Sequence, residues 1–363
     1  MIIARTPFRV SFLGGGTDYP AWYRKHGGAV LTTTIDKYCY IMCRVLPPFH
    51  EHRISIVYSK MERCNAIDEI MHPAVREVLR FLRVGRGVEI HTDADLPGRS
   101  GMGSSSAFTV GLLHAVHALE GHMVGKHQLA MESIHLEQEV LKEAVGSQDQ
   151  VQAAYGGLNH VVFHPSGEIS VRPVTISPAR LAEFSSHLML FYTGIRRTAS
   201  VVAETFINGM DDRRRQLRIM KDLVDEGLAI LNRDGAVADF GELLHEAWQA
   251  KRSLSATVSN SEVDALYARA RAAGALGGKL TGAGGGGFLL LFVPPADQEA
   301  VRDELSELLH VPIAQDFSGS QIIYYEPERD YSAVEESRAS RTIKPFRELE
   351  VSESGSGMWK GTR

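Results

Sequence analysis

The residues best suited to chemistry lie in one loop, Leu96-Pro97-Gly98-Arg99-Ser100-Gly101-Met102-Gly103-Ser104-Ser105-Ser106-Ala107. It sits between a β-branched run at 88–92 and a stretch whose apolar residues recur at helical spacing. Gly101 and Gly103 carry no Cβ, so backbone N–H groups there can converge on an anion. Ser104, Ser105 and Ser106 add hydroxyls and a helix N-cap. The helix behind them supplies the positive end of its dipole. With Pro97, Gly98 and Met102 the loop makes a cradle for a nucleotide's phosphates. No Gly-Lys-Ser/Thr closes it, so it is not a Walker loop. Taken alone, a capped helix start after a glycine turn stays open as a reading. A second glycine cluster, Gly282-Ala283-Gly284-Gly285-Gly286-Gly287, contains Gly-x-Gly-x-x-Gly. A dinucleotide fingerprint must open a helix, and this one runs into Phe-Leu-Leu-Leu-Phe-Val, a strand.

The elements that must position this loop follow from periodicity. Strands are predicted over 2–13, 29–46, 53–59, 88–92, 156–163, 169–174, 187–193 and 320–325, with another after the glycines of 279–293. Helices are predicted over 72–83, 104–122, 126–144, 199–232, 236–254, 261–273 and 296–309. The helix from 104 reads as amphipathic, with Phe108, Leu112, Val116 and Leu119 on one stripe. Strands and helices mix without regular βα alternation, which predicts an α+β fold in two domains. We place the break near 175–187, giving domains over 1–180 and 181–333, and read 334–363 as a polar, disordered or loosely docked tail.

Composition narrows the partners. The 363 residues are 44% hydrophobic and 23% charged, enough for a full core. Thirty-nine Lys and Arg against 44 Asp and Glu leave a net charge of −5, which disfavours nucleic acid or an anionic membrane. Mean hydropathy is −0.12, and the longest apolar runs are far too short to span a bilayer. The N-terminus has no secretory pattern and the three cysteines make no disulfide scaffold, so the cytoplasm is the expected location. Cys39 and Cys43 read as small core hydrophobes. His245-Glu246-Ala247-Trp248-Gln249 stops short of a zinc-protease motif, and His114 and His117 read as packing or surface residues. Arg213-Arg214-Arg215 after Asp211-Asp212 reads as a solvated helix face.

Three segments in this order resemble the signature motifs of the GHMP kinases, the galactokinase, homoserine kinase, mevalonate kinase and phosphomevalonate kinase superfamily. They are Pro7-Phe8-Arg9-Val10-Ser11-Phe12-Leu13-Gly14-Gly15-Gly16-Thr17-Asp18-Tyr19, the Gly-Met-Gly-Ser-Ser-Ser-Ala loop, and Lys279-Leu280-Thr281-Gly282-Ala283-Gly284-Gly285-Gly286-Gly287-Phe288. The resemblance covers roughly 1–330. Gly-Gly-Gly-Thr-Asp, Gly-Ser-Gln-Asp-Gln at 146–150 and Phe-Tyr-Thr-Gly-Ile-Arg-Arg at 191–197 resemble most the bacterial D-glycero-D-manno-heptose 7-phosphate kinases, with fucokinase-type sugar 1-kinases as near relatives.

The resemblance implies an N-terminal domain like ribosomal protein S5 domain 2, a ferredoxin-like C-terminal domain, and a site in the cleft between them. It implies ATP and Mg2+ as cofactors, with the metal on Ser105 and Glu137. Asp149 matches the family's catalytic aspartate and Arg9 the cation beside it. Asp18 matches the aspartate that hydrogen-bonds sugar hydroxyls; Gly15, Gly16, Thr17, Gly284 and Gly285 join it as expected substrate contacts. Where galactokinases have Gly-Glu-His-Thr-Asp, this chain has Gly14-Gly15-Gly16-Thr17-Asp18. Two large polar side chains and one negative charge are gone, which suits a bulkier, anionic sugar. Candidate cations for a substrate phosphate are Arg24, Lys25, Arg172, Arg196 and Arg197. The implied reaction is transfer of a phosphoryl group from ATP to the anomeric hydroxyl of a sugar, most closely heptose 7-phosphate. An L-fucose-type 1-kinase and an inactive sugar- or nucleotide-binding protein are the alternatives. The expected partners are small molecules, and a homodimer stays open.

Overall fold

The computed structural model describes residues 1–327 apart from 48, 99, 196–209, 255–257, 283 and 285, together with 331, 333, 334 and 337. Most of the tail read at 334–363 and the first part of the helix predicted from 199 lie outside the described residues.

The chain begins with β1 (Ile2–Leu13), a strand buried along nearly its whole length. Its partner β2 (Gly28–Val45) is long enough to serve different neighbours at its two ends. β2 pairs along β1, while its C-terminal half pairs β5 (Val88–Ala94) and its N-terminal half pairs β6 (Leu158–Phe163). β3 (Ile54–Val57), β4 (Met61–Cys64) and β7 (Ile169–Pro173) extend this sheet. The short β12 (Gln315–Asp316) pairs β2, and β13 (Gln321–Tyr325) pairs β1, so the chain returns to the first sheet near its end. A second sheet has the order β11 (Leu309–Val311), β8 (Leu188–Tyr192), β10 (Phe288–Phe292), β9 (Gly277–Leu280), all antiparallel.

β10 shows how one strand serves two cores. Phe288, Leu290 and Phe292 join the main core, and Leu289 and Leu291 join a second cluster with Trp248 and Tyr267. Alternate side chains of a strand leave opposite faces, so an unbroken apolar run is required here. The two sheets meet through aromatic contacts: Phe12 edge-on to Phe184 at 5.3 Å, Phe184 edge-on to Phe240 at 4.9 Å, and Phe240 tilted on Phe292 at 5.7 Å.

The helices are α1 (Pro20–His26), α2 (Pro73–Phe81), α3 (Ser104–Leu119), α4 (Lys126–Ile134), α5 (Gln148–Tyr155), α6 (Pro178–Ser186), α7 (Arg214–Asn232), α8 (Ala238–Arg252), α9 (Ser261–Ala272) and α10 (Gln298–Glu304). Three differences from the sequence reading matter. α3 is not a half-exposed amphipathic helix: Thr109, Val110, Leu112, Leu113, Ala115 and Val116 are all buried, because it packs between the first sheet and its neighbouring helices. Gly111 lets it approach β1, since a Cβ there would lie 2.8 Å from Thr6 Oγ1. The helix predicted over 126–144 gives way after Ile134 to a π-turn, His135–Val140. The segment at 175–187 holds α6, capped by Ser177 and anchored by the buried Phe184. Leu129 and Ile134 before the π-turn and Leu136 within it are all buried, so the apolar face continues through it.

Candidate active site

The site grows from a break in β1. The β1–β2 register shifts between Pro7 and Arg9, where proline has no N–H to give the ladder. The Arg9 N–H bonds Met102 O of the glycine-serine loop instead, at 3.1 Å. Such a bulge re-aims a side chain. The Arg9 side chain, 5% exposed, runs under the loop and donates from Nη1 to Gly101 O at 2.7 Å. Its other nitrogens clasp Asp149, with Nε to Oδ1 at 2.7 Å and Nη2 to Oδ2 at 2.6 Å. Gly103 completes the contact. A Cβ on it would stand 3.1 Å from Arg9 Cγ and 3.4 Å from Asp149 Oδ2, and its φ of 72° is itself a glycine conformation.

That same Gly103 is the N-cap of α3, and no side chain caps the helix. The serines therefore do not fill the N-cap as expected. They form the first turn, which keeps the helix mouth unblocked for an anion. Ser105 is exposed and Ser106 is buried, while Met102 is a core residue. Gly98 is exposed with open space around it, and Pro97 is half-buried.

Glu137 projects from the π-turn and is fully buried. Its Oε2 accepts from Ser106 Oγ at 2.9 Å and Gln150 Nε2 at 2.5 Å, and among the described residues Oε1 has no hydrogen-bond partner. Burial pushes its carboxyl up to about 8, with Glu143 nearby adding to the rise. Ser106 is thus the serine bonded to Glu137, and the Ser105 hydroxyl bonds Glu143. Ser105, Glu137 and Glu143 nonetheless present oxygen donors of the hard type that suits magnesium.

Asp18 lies beside Asp149 but is 1% exposed. It accepts from the N–H of Gly16 at 2.9 Å and from that of Gln148 at 3.4 Å. Gly146 makes this approach feasible, since a Cβ there would stand 1.9 Å from Asp18 Oδ2. Burial, then the charge of Asp149, raises the Asp18 carboxyl to about 6. The expected sugar contact is thus closed over in this conformation, and Asp18 holds the two turns together. Thr17, also expected at the substrate, faces inward: its hydroxyl bonds Gly14 O and Ala29 O. Gly15 has room beside it, the nearest atoms to a Cβ being Ser11 Oγ at 3.7 Å and Gln148 Nε2 at 3.9 Å.

The third motif comes from the second sheet and packs backbone to backbone on the loop. A Cβ on Gly282 would lie 2.5 Å from Gly101 Cα, and one on Gly287 2.1 Å from Ser100 O. Gly284 instead packs against Val258 O, 2.5 Å from its would-be Cβ. Gly285, Arg99, Arg196 and Arg197 lie outside the described residues. Arg24 lies along the turn at Gly167, and Arg172 neighbours His160 across β6 and β7, so neither joins the Arg9–Asp149 pair. Lys25 is exposed on α1. Sequence reasoning missed Gln150, Glu143, Gly146 and two buried lysines, Lys251 and Lys279. Gln150 stood in the quoted Gly-Ser-Gln-Asp-Gln and Lys279 in the third motif, but Lys251 gave no local signal.

An uncapped helix mouth, an arginine-clasped aspartate and a glycine lock between two sheets are now in place. Residues 69–157 match the GHMP kinases N terminal domain, and residues 222–311 match GHMP kinases C terminal. The chain belongs to the GHMP kinases. It is 29% identical over 325 residues to D-glycero-alpha-D-manno-heptose 7-phosphate kinase of Campylobacter jejuni, covering 84% of this chain and 94% of that protein. It is 26% identical over 343 residues to L-fucokinase/L-fucose-1-P guanylyltransferase of Bacteroides fragilis, covering 83% of this chain and 35% of that protein. The crystal structure of a D-glycero-D-manno-heptose 1-phosphate kinase from Bacteroides thetaiotaomicron shares the fold, with TM-score 0.74, 22% identity, and coverage of 90% of this chain and 100% of that one. This GHMP kinase is a sugar kinase, an enzyme that phosphorylates a hydroxyl group, and kinases of this family use ATP. Among the described residues no helix is long and apolar enough to cross a membrane.

Proposed function

We propose that this GHMP kinase transfers the γ-phosphoryl group of ATP to the anomeric hydroxyl of D-glycero-D-manno-heptose 7-phosphate, forming the 1,7-bisphosphate. The observation that carries the chemistry is the Arg9–Asp149 pair, closed against Gly103 at the mouth of α3. Phosphoryl transfer is chiefly positioning and charge neutralisation. The α3 mouth and its glycine amides hold the phosphates. The Arg9 guanidinium offsets charge on the transferred group. Arg9 takes one lone pair on each Asp149 oxygen, which leaves others to accept a hydroxyl proton. Held on both oxygens by Arg9, Asp149 is fixed in place to orient the acceptor alcohol as well as to accept its proton. Ser105 and Glu137, with Glu143 alongside, would hold Mg2+, which neutralises phosphate charge when bound.

The heptose assignment is supported by the Campylobacter jejuni relative's name and by glycine at position 15, where a galactokinase-type glutamate would stand. The Bacteroides thetaiotaomicron enzyme is named for a 1-phosphate; at 22% identity its likeness bears on the fold alone. The test is ADP release with D-glycero-D-manno-heptose 7-phosphate, the same heptose unphosphorylated, L-fucose, D-mannose and D-galactose, with phosphorus NMR of the product. The heptose 7-phosphate is expected to turn over fastest and to gain a phosphate on C1. Faster turnover of L-fucose or another unphosphorylated sugar would overturn the assignment. ATP and sugar binding without ADP release would favour an inactive binding protein.

A further inference from the structure

Two lysines from the second sheet's side lie near Arg9 and Asp18 and take part in none of the roles above. Lys251, on α8, is 8% exposed, and Lys279, on β9, is 4% exposed. Lys251 Nζ donates to Gly282 O at 2.5 Å, and Lys279 Nζ donates to Phe12 O at 2.9 Å. Among the described residues neither forms an ion pair with a carboxylate within 4.0 Å. A buried ammonium without a partner carboxylate is costly, so a fold keeps one where an anion arrives.

The position is set by contacts already described. Gly282, whose carbonyl Lys251 holds, packs on Gly101; Gly101's carbonyl in turn accepts from Arg9. Lys251 therefore faces Arg9 of β1, Asp18 of the following turn and Lys279 of β9. With Asp149, this gathers three basic side chains and two carboxylates in a buried setting, and burial with the neighbouring Lys251 and Arg9 pushes the Lys279 ammonium well below its ordinary value. We infer that Lys251 is a phosphate-binding cation of this site, using the ammonium hydrogens not given to Gly282 O to hold a phosphoryl oxyanion opposite Arg9, with Lys279 behind it. The inference rests on the cleft being the site of phosphoryl transfer. The phosphate comes either from the γ position of the nucleotide or from the acceptor sugar. Burial lowers the Lys251 ammonium to about 8, and a bound phosphate would restore its proton.

The experiment is calorimetric binding to wild type, Lys251→Met and Lys251→Arg. The ligands are ADP, ATP, D-glycero-D-manno-heptose 7-phosphate and the unphosphorylated heptose. Lys251→Met should keep ADP and heptose affinity within about twofold. It should lose roughly tenfold or more for ATP if the γ-phosphate is the ligand, or for the heptose phosphate if the acceptor's is. Lys251→Arg should recover part of the loss. In wild type, affinity for the same ligand should fall above about pH 8 while ADP affinity does not, a readout that needs no variant. Unchanged affinity for both phosphate-bearing ligands in Lys251→Met, or no such pH limb in wild type, overturns the inference. Failure of wild type to bind ATP or ADP at all overturns the reading of the cleft instead.

Discussion

The Arg9–Asp149 pair joins residues 140 positions apart, and a double-mutant cycle measures that join. The perturbations are Arg9→Met, Asp149→Asn and the two combined. The geometry is bidentate, at 2.7 and 2.6 Å, with side-chain exposures of 5% for Arg9 and 25% for Asp149. With charge centres about 4 Å apart and an effective dielectric near 20, the gross attraction is about 4 kcal/mol. Removing one partner of a fully buried pair costs about 3–5 kcal/mol. Asp149 keeps a quarter of its side chain in water, so Arg9→Met should fall at or below the low end, about 2–3 kcal/mol. Asp149→Asn leaves a buried guanidinium that still bonds Gly101 O, and should cost about 2–3 kcal/mol. Because each single variant strands the other's charge, the double variant should cost less than the sum, with a coupling of about 2 kcal/mol. Urea unfolding at pH 7.5, with unchanged m-values, reads the four stabilities. A coupling below about 0.5 kcal/mol would refute the reasoning, because independent sites add within that margin.

Asp18→Asn should stabilise the ligand-free protein in a pH-dependent way. The Asp18 carboxyl is raised from 3.8 to about 6 on folding, so its contribution is fully present below 3.8 and is lost as pH rises through 6. The variant should gain up to about 3 kcal/mol on wild type between pH 4 and pH 7.5 in urea unfolding; parallel curves would contradict this. Gly282→Ala puts a methyl 2.5 Å from Gly101 Cα at a φ of 70°, and should lower both stability, by about 2 kcal/mol or more, and ATP affinity in calorimetry. Glu137→Gln should raise the Mg2+ needed for half-maximal ADP release roughly tenfold or more while metal-free ATP binding changes little; an unchanged metal requirement would remove Glu137 from the metal site.

The sequence carried the site's motifs further than its surroundings. The β1 turn, the phosphate loop and the third glycine motif were legible because each needs particular residue types for close backbone approach. β1, β2, β5, β6, α2 and α9 follow from periodicity, since a half-buried or buried element writes its period into the chain. The misses have physical causes. α1, α5 and β11 are short, seven, eight and three residues, too brief for a period to show. α3 reads as amphipathic because Leu112 and Val116 fit one stripe, yet Leu113 and Ala115 between them are also buried. The π-turn is invisible to a 3.6-residue template. The side-chain pairings were the least legible part. Arg9 with Asp149 rests on the resemblance alone, the Ser106–Glu137 bond depends on a helix phase set by the fold, and Lys251 lies 31 residues from the carbonyl it binds.

The central claim is that Asp149 serves the acceptor alcohol and not the nucleotide. Asp149→Asn with ATP affinity and ADP release measured on the same preparation tests it directly. The expected result is an ATP dissociation constant within about twofold of wild type and turnover lower by about 10²–10⁴-fold. Turnover near the wild-type value, or equal loss of ATP affinity and turnover, would contradict it.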